Sequence, residues 1–378
     1  MRSSIVALTL LSTTSLASAD SLDVVASFSI LADMTRVVGG DHVSVTSLVG
    51  PGEDAHVYQP IPTDVVAVTG ADLVITNGLG FEGFLERLIE ASDSQATIVT
   101  ASTGIDVIEV GEDDHHDHDD HDDHAHAHDD DHNHDHAHDD HDDHGHDDHA
   151  HDDHGHDDHD HDHAHDDDHD HDHGHDDEHA HDDHGHEDHD HHDHAHHDHD
   201  HGPNDPHAWQ SLDAAQIYVA NIADGLCEAL PGHCDEFTAN AQAYASELEA
   251  LEANWEAALA DVAVDGRTII TSHDAFGYLA RDFDLTILAA QGMSTESEAS
   301  AADVAAIIDQ ILETGARALF VENISDPRLI EQIADETGLT VTGTLYSDAL
   351  SVEGEASTYL GMMASNLRAI SEALQATN

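Results

Sequence analysis

Apolar positions recur along this chain in two rhythms. Short β-branched runs, DVVASFSI (23–30), VSVTSLV (43–49), DLVITNG (72–78) and ATIVTAS (96–102), predict strands. Between them the spacing predicts helices. One runs to Val38 and is stopped by Gly39 and Gly40; one is TDVVAVTG (63–70), with Thr63 as its cap after Pro62; one is FEGFLERLIEA (81–91). From 212 to 230 the pattern is helical, and a much longer helical pattern follows over 235–262. The alternation then restarts with strand RTIITSH (267–273), helix 274–281, strand LTILAA (285–290) and helix 301–315, which Glu296 and Glu298 of STESEAS are placed to cap. Strand ALFVEN (318–323), a helix between Asp326-Pro327 and Gly338, strand TVTGTL (340–345) and a helix over 355–375 complete it. Two strand–helix blocks predict an α/β fold of two lobes with mainly parallel sheets flanked by helices, joined by one long rigid helix. The expected division is 20–112 with 202–234 for the first lobe, 235–262 for the linking helix and 263–378 for the second lobe. Ligands of such sheets gather at the carboxyl ends of the strands, here in the cleft between lobes.

Two stretches fall outside that rhythm. MRSSIVALTLLSTTSLASAD has Arg2, an apolar stretch through Leu11 and small residues at Ala17, Ser18 and Ala19. It predicts a secretory signal over 1–19, cut before Asp20, and hence a periplasmic chain without stable membrane insertion. Residues 113–201 are low in complexity, with HDDHGH recurring at 141, 151 and 181. This tract has almost no apolar side chains to offset the entropy of ordering, so it is expected to be a disordered loop inserted into the first lobe. All but five of the 43 histidines lie in it. Imidazole at H-x-H and H-x-x-H spacing on a flexible chain predicts many loose metal-binding sets of poor selectivity. Unperturbed imidazole titrates near ~6.5, so the tract should lose both charge and metal on acidification.

Formal charge is −75, and 40 of the 83 acidic residues but none of the 8 basic ones fall between 112 and 201. Both parts of the chain are acidic, which argues against nucleic acid or an anionic membrane as partner. Every basic residue is Arg. A chain without lysine has neither a Walker-type phosphate loop nor a Schiff-base nucleophile, and no G-x-S-x-G or H-E-x-x-H occurs. Cys227 and Cys234, in CEALPGHC, bracket a Pro-Gly turn. A disulfide suits an oxidising compartment, and a redox or metal pair with His233 is the alternative.

Outside the tract the histidines are His42, His56, His207, His233 and His273. His56 lies in GPGEDAHVYQP after a strand, His207 follows Asp205-Pro206, and His273 closes RTIITSH. Asp348 in TLYSDAL also follows a strand. These four are the candidate ligands of one ion in the cleft, three imidazoles and a carboxylate making a plausible tetrahedral shell for Zn²⁺. Glu53 and Asp54 read as a solvated acidic loop; Tyr58, Trp209 and Tyr278 read as packing residues; His42 and His233 read as a surface turn and the cysteine hairpin.

In this order PGEDAHVYQPIPTDV, NGLGFEGFLERL, NDPHAWQSL, TSHDAFGYLA, FVENISDPRLIEQIADETG and LYSDAL resemble the periplasmic zinc-binding proteins of ABC importers, over all of 20–378 except the tract. The resemblance implies metal ligands at His56, His207, His273 and Asp348, and a His-rich insertion before the second ligand. It implies a monomeric binding protein, not an enzyme, that hands Zn²⁺ to a membrane permease driven by a cytoplasmic ATPase. A periplasmic metallochaperone is a further candidate partner. Manganese members of the family carry a carboxylate where this chain has His273, and imidazole favours zinc. The rival readings are a metal buffer uncoupled from a transporter, a manganese carrier, and a zinc hydrolase whose shell keeps an open position.

Overall fold

The computed structural model describes residues 21–110, 204–316 and 318–377. The expected signal over 1–19 and the His/Asp tract over 113–201 lie outside the described residues. The first lobe is built from β1 (Leu22–Phe28), α1 (Ser29–Gly39), β2 (Val43–Val49), α2 (Pro62–Gly70), β3 (Leu73–Thr76), α3 (Leu85–Ser92) and β4 (Thr97–Thr100). Across the tract it continues into α4 (Leu212–Ala229). Its sheet is wholly parallel, in the order β2-β1-β3-β4. Glu109 and Asn204 pair as an antiparallel bridge, and Asp205 N–H donates to the Ile108 carbonyl at 2.9 Å. The two edges of the insertion are therefore held side by side, which is all a long loop requires for closure.

One helix, α5 (Cys234–Leu259), links the lobes; its 26 residues span about 39 Å at the usual rise. The second lobe follows: β5 (Thr268–Thr271), α6 (Gly277–Phe283), β6 (Thr286–Ala289), α7 (Ala301–Thr314), β7 (Ala318–Glu322), α8 (Arg328–Thr337), β8 (Val341–Leu345) and α9 (Tyr359–Thr377). This sheet is again parallel, in the order β6-β5-β7-β8. The fold is therefore two parallel-sheet α/β lobes flanked by helices and joined by a long helix.

Side-chain alternation divides the core. Ile269 and Phe320 face a cluster that runs unbroken through α9, α5 and the whole first lobe, whereas Ile270 and Leu319, one position away, face a second cluster with α7 and α8. The inner face of the second sheet is thus continuous with the first lobe, and its outer face has a core of its own.

Local details differ from the sequence reading at helix starts. Thr63 does not cap α2: Pro62 takes the first helical position and the Asp64 carboxylate accepts the Ile61 N–H at 2.7 Å. Glu296 and Glu298 do not cap α7; Ser300 does, its hydroxyl accepting Asp303 N–H while Asp303 Oδ2 accepts Ser300 N–H. The third and sixth helices begin at Leu85 and Gly277, later than periodicity predicts, because the residues before them form turns around the site described next.

Candidate metal centre

His56, His273 and Asp348 lie in the loops after β2, β5 and β8, and His207 lies between the Glu109–Asn204 bridge and the turn that leads into α4. After β2 the chain turns, with Gly50 N–H donating to Glu53 Oε2 and Gly52 N–H to the Leu350 carbonyl. Asp54 then receives the His56 N–H at 2.9 Å on one oxygen and the Thr295 hydroxyl at 2.6 Å on the other. Glu53 and Asp54 are thus turn-formers, and Asp54 ties the two lobes together at this loop.

His207 is set by its own neighbour. Asp205 Oδ1 accepts the His207 N–H at 2.9 Å and lies 2.8 Å from His207 Nδ1, so one carboxylate oxygen fixes both backbone and ring. Asp205 is held in turn: Tyr278 Oη donates to its carbonyl, and a Cβ at Gly277 would lie 2.6 Å from its Oδ2. Glycine at the start of α6 is therefore a close-approach requirement. On the far side, Asn77 Nδ2 donates to the Pro206 carbonyl, and Glu82 accepts Ser27 Oγ and the Asn77 and Gly78 N–H groups. Burial raises the pKa of Glu82, and hydrogen bonds from Ser27, Asn77, Thr76 and Gly78 partly offset it.

His273 lies two residues past β5. Because β7 is the next strand in the sheet, Glu322 at its end reaches across: Oε1 accepts the His273 N–H at 2.8 Å and Oε2 stands 2.5 Å from Nδ1. Asp348 sits in the loop after β8. Asn323 Nδ2 donates to Ala349 carbonyl, Trp209 Nε1 and Gln210 Nε2 donate to Ser347 carbonyl, and Leu350 N–H donates to Ser29 Oγ. Both lobes therefore hold this loop.

The structure brings the four together. His56 Nε2 and His273 Nε2 lie 3.0 and 3.2 Å from Asp348 Oδ2, His207 Nε2 lies 3.4 Å from His56 Nε2, and it stands 3.8 Å from Asp348 Oδ1. Bonds of ~2.0–2.1 Å around a tetrahedral ion separate its ligands by about 3.3–3.4 Å, and these spacings bracket that value. His207, His273 and Asp348 have no solvent exposure, and His56 is 7 % exposed. Phe81 presents its edge to His56 and packs against Phe28 and Trp209, walling the cluster with aromatic rings.

Electrostatics point the same way. Burial alone raises the pKa of Asp348, yet His273 and His207 outweigh it and hold the carboxyl well below the usual range. Burial alone lowers His273, yet Glu322 and Asp348 outweigh it and the imidazolium is strongly favoured. Asp348 Oδ1 is buried without a hydrogen-bond partner. Such a group is costly unless something satisfies it, and a cation between four ligands does so. In both His207 and His273 a carboxylate engages Nδ1 and leaves Nε2 facing the others, the orientation that metal-ligating imidazoles require.

Neither Asp205 nor Glu322 was read as a residue that supports a ligand. Asp205 had a local signal, two residues ahead of His207; Glu322 had none, since only sheet order places it beside His273. Tyr278 and Trp209 are buried packing residues as expected, with the added work of holding Asp205 and the Asp348 loop. Cys227 and Cys234 are joined as a disulfide, in the hairpin between α4 and α5.

A family model described as zinc-uptake complex component A, periplasmic, matches residues 24–373. The chain belongs to this ZnuA family. It is thus a metal-binding, substrate-binding component of an extracytoplasmic ABC uptake system, a transport class that works with a membrane permease and an ATPase rather than as an enzyme. Similar proteins include the manganese-binding lipoprotein MntA of Halalkalibacterium halodurans, 24 % identical over 92 % of this chain and 87 % of that one. The iron-binding protein YfeA of Yersinia pestis is 26 % identical over 90 % of this chain and 82 % of its own length. Among solved structures, the periplasmic zinc binding protein TroA from Treponema pallidum superposes with a TM-score of 0.67 at 23 % identity, covering 94 % of this chain and 99 % of that one. No helix among the described residues is long and apolar enough to cross a membrane.

Proposed function

We propose that this chain captures Zn²⁺ between its lobes, with His56, His207, His273 and Asp348 as the four ligands, and delivers it to an ABC permease. The observation that carries the reading is the convergence of three imidazole nitrogens and one carboxylate, from four separate loops, at tetrahedral spacing in a buried place. The donor set selects among the metals named for the relatives. Manganese favours harder oxygen ligands and readily takes six, whereas three nitrogens and one oxygen in a closed shell suit zinc. The closed shell also leaves no position for the metal-bound water that a hydrolase needs.

The His/Asp tract acts in this reading as a low-affinity reservoir. Its C-terminal root, at Asn204, is only three residues from His207, so ions released by the tract arrive at high effective concentration. Calorimetric titration of a chain lacking 113–201 tests both parts, because Glu109 and Asn204 already adjoin. One tight zinc per chain, not displaced by a large excess of manganese, is expected, with the many weak sites gone. Manganese binding as tightly as zinc would overturn the assignment to zinc.

A further inference from the structure

A second group of ligating side chains lies outside the cleft. His42 ends the 3-10 turn Gly40–His42 between α1 and β2, His233 ends the 3-10 turn Pro231–His233 between α4 and α5, and Glu236 is in the first turn of α5. His42 Nε2 lies 3.0 Å from Glu236 Oε2, and one ligand atom from each of the three lies within 4.8 Å of the other two. The two imidazoles face each other with centroids 3.7 Å apart and planes 30° apart. His42 Nδ1 is buried with no hydrogen-bond partner.

We propose that His42, His233 and Glu236 form a second site for a divalent cation of the zinc class. The imidazoles supply borderline nitrogen donors, the carboxylate supplies charge, and the exposed side of Glu236 leaves the remaining positions to water. A shared ion requires the ligand atoms, now within 4.8 Å of one another, to close to a separation of ~3.3 Å. The platform beneath is fixed: Phe237 is buried under both rings, Asn240 Nδ2 donates to the Val38 carbonyl, and the Cys227–Cys234 disulfide closes the hairpin that carries His233. His42 precedes β2 and His56 follows it, so the two sites are separated by that strand, seven residues or about 23 Å long. They cannot share an ion. This one ties the segment before the His/Asp insertion to the segment after it, at the end of the lobe away from the cleft.

Carbethoxylation of histidine in the full chain, mapped peptide by peptide with and without zinc in excess of its 43 histidines, tests this directly. An imidazole nitrogen bound to an ion has no lone pair to offer the reagent. Zinc is expected to slow labelling of both His42 and His233 at least tenfold, and Glu236→Gln to relieve that protection at both. Labelling of His42 and His233 that zinc leaves unchanged, while competition against a chelator still shows one tight zinc per chain, overturns this site and leaves the cleft reading standing. Protection that survives in Glu236→Gln overturns the three-ligand arrangement. Protected His42 and His233 without a tight zinc in that competition would count against the cleft alone.

Discussion

The two histidine clusters of this protein are made from the same donors and differ in what surrounds them. In the cleft every ring is fully buried, and Asp205 and Glu322 fix His207 and His273 through Nδ1. At the base of the first lobe His42 and His233 lean on each other, and Glu236 is half exposed. Ligand type alone therefore does not set affinity. Burial and supporting carboxylates do, by fixing each ring before the ion arrives and excluding competing water. The cleft is expected to bind tightly and the basal cluster weakly.

The largest effect should come from removing the shared carboxylate. Asp348→Ala is expected to abolish tight zinc binding in the cleft, a loss well beyond the ~10–100-fold that supporting residues cost, read by competition against a chelator of known affinity. Asp205→Asn and Glu322→Gln should fall within that ~10–100-fold range, since the ligands remain but their orientation loosens. Gly277→Ala belongs with them, because the new methyl displaces Asp205 without touching a ligand.

A proton competes with the ion. With the folded pKa of His273 raised, its contribution to the stability of the metal-free chain is fully present below the unfolded value of ~6.5 and is lost as pH rises through the folded value. Asp348, held low, contributes above its unfolded value of ~3.9 and loses that contribution as pH falls through the folded one. Across the neutral range the metal-free cleft is therefore held by the proton on His273. Zinc must expel that proton, so titrations in buffers of different ionisation enthalpy should reveal proton release, and affinity should fall as pH falls.

A smaller effect is expected at the rim. Thr295→Val removes the hydrogen bond to Asp54, worth about 0.5–1.5 kcal/mol, and should quicken zinc release several-fold in stopped-flow chelation without altering the ligand shell. Smallest of all, Glu236→Gln should leave cleft affinity unchanged, which separates the two clusters.

The strand and helix alternation was legible because each buried strand is a short β-branched run and each helix shows one apolar face. Helix starts were less so, since the caps at Ile61 and Ser300 depend on which nearby carboxylate turns back. His56, His273 and Asp348 could be picked out as strand-end donors, whereas His207 follows only an isolated bridge, and the resemblance to a metal-carrier family strengthened the choice. Glu322 could not be read, because its partner is 49 residues away and only the β5–β7 pairing makes them neighbours. The basal cluster was passed over for a similar reason. His42 read as a surface turn and His233 as part of the cysteine hairpin until the packing of α1 against α5 set them face to face.

The central claim is that one ion is shared by His56, His207, His273 and Asp348. Zinc K-edge X-ray absorption on the chain lacking 113–201, loaded with a single equivalent, tests it most directly. The account predicts four light-atom ligands at ~2.0–2.1 Å with the multiple-scattering signature of three imidazoles, falling to two in His207→Ala. A six-coordinate oxygen shell, or a spectrum unchanged by His207→Ala, would contradict it.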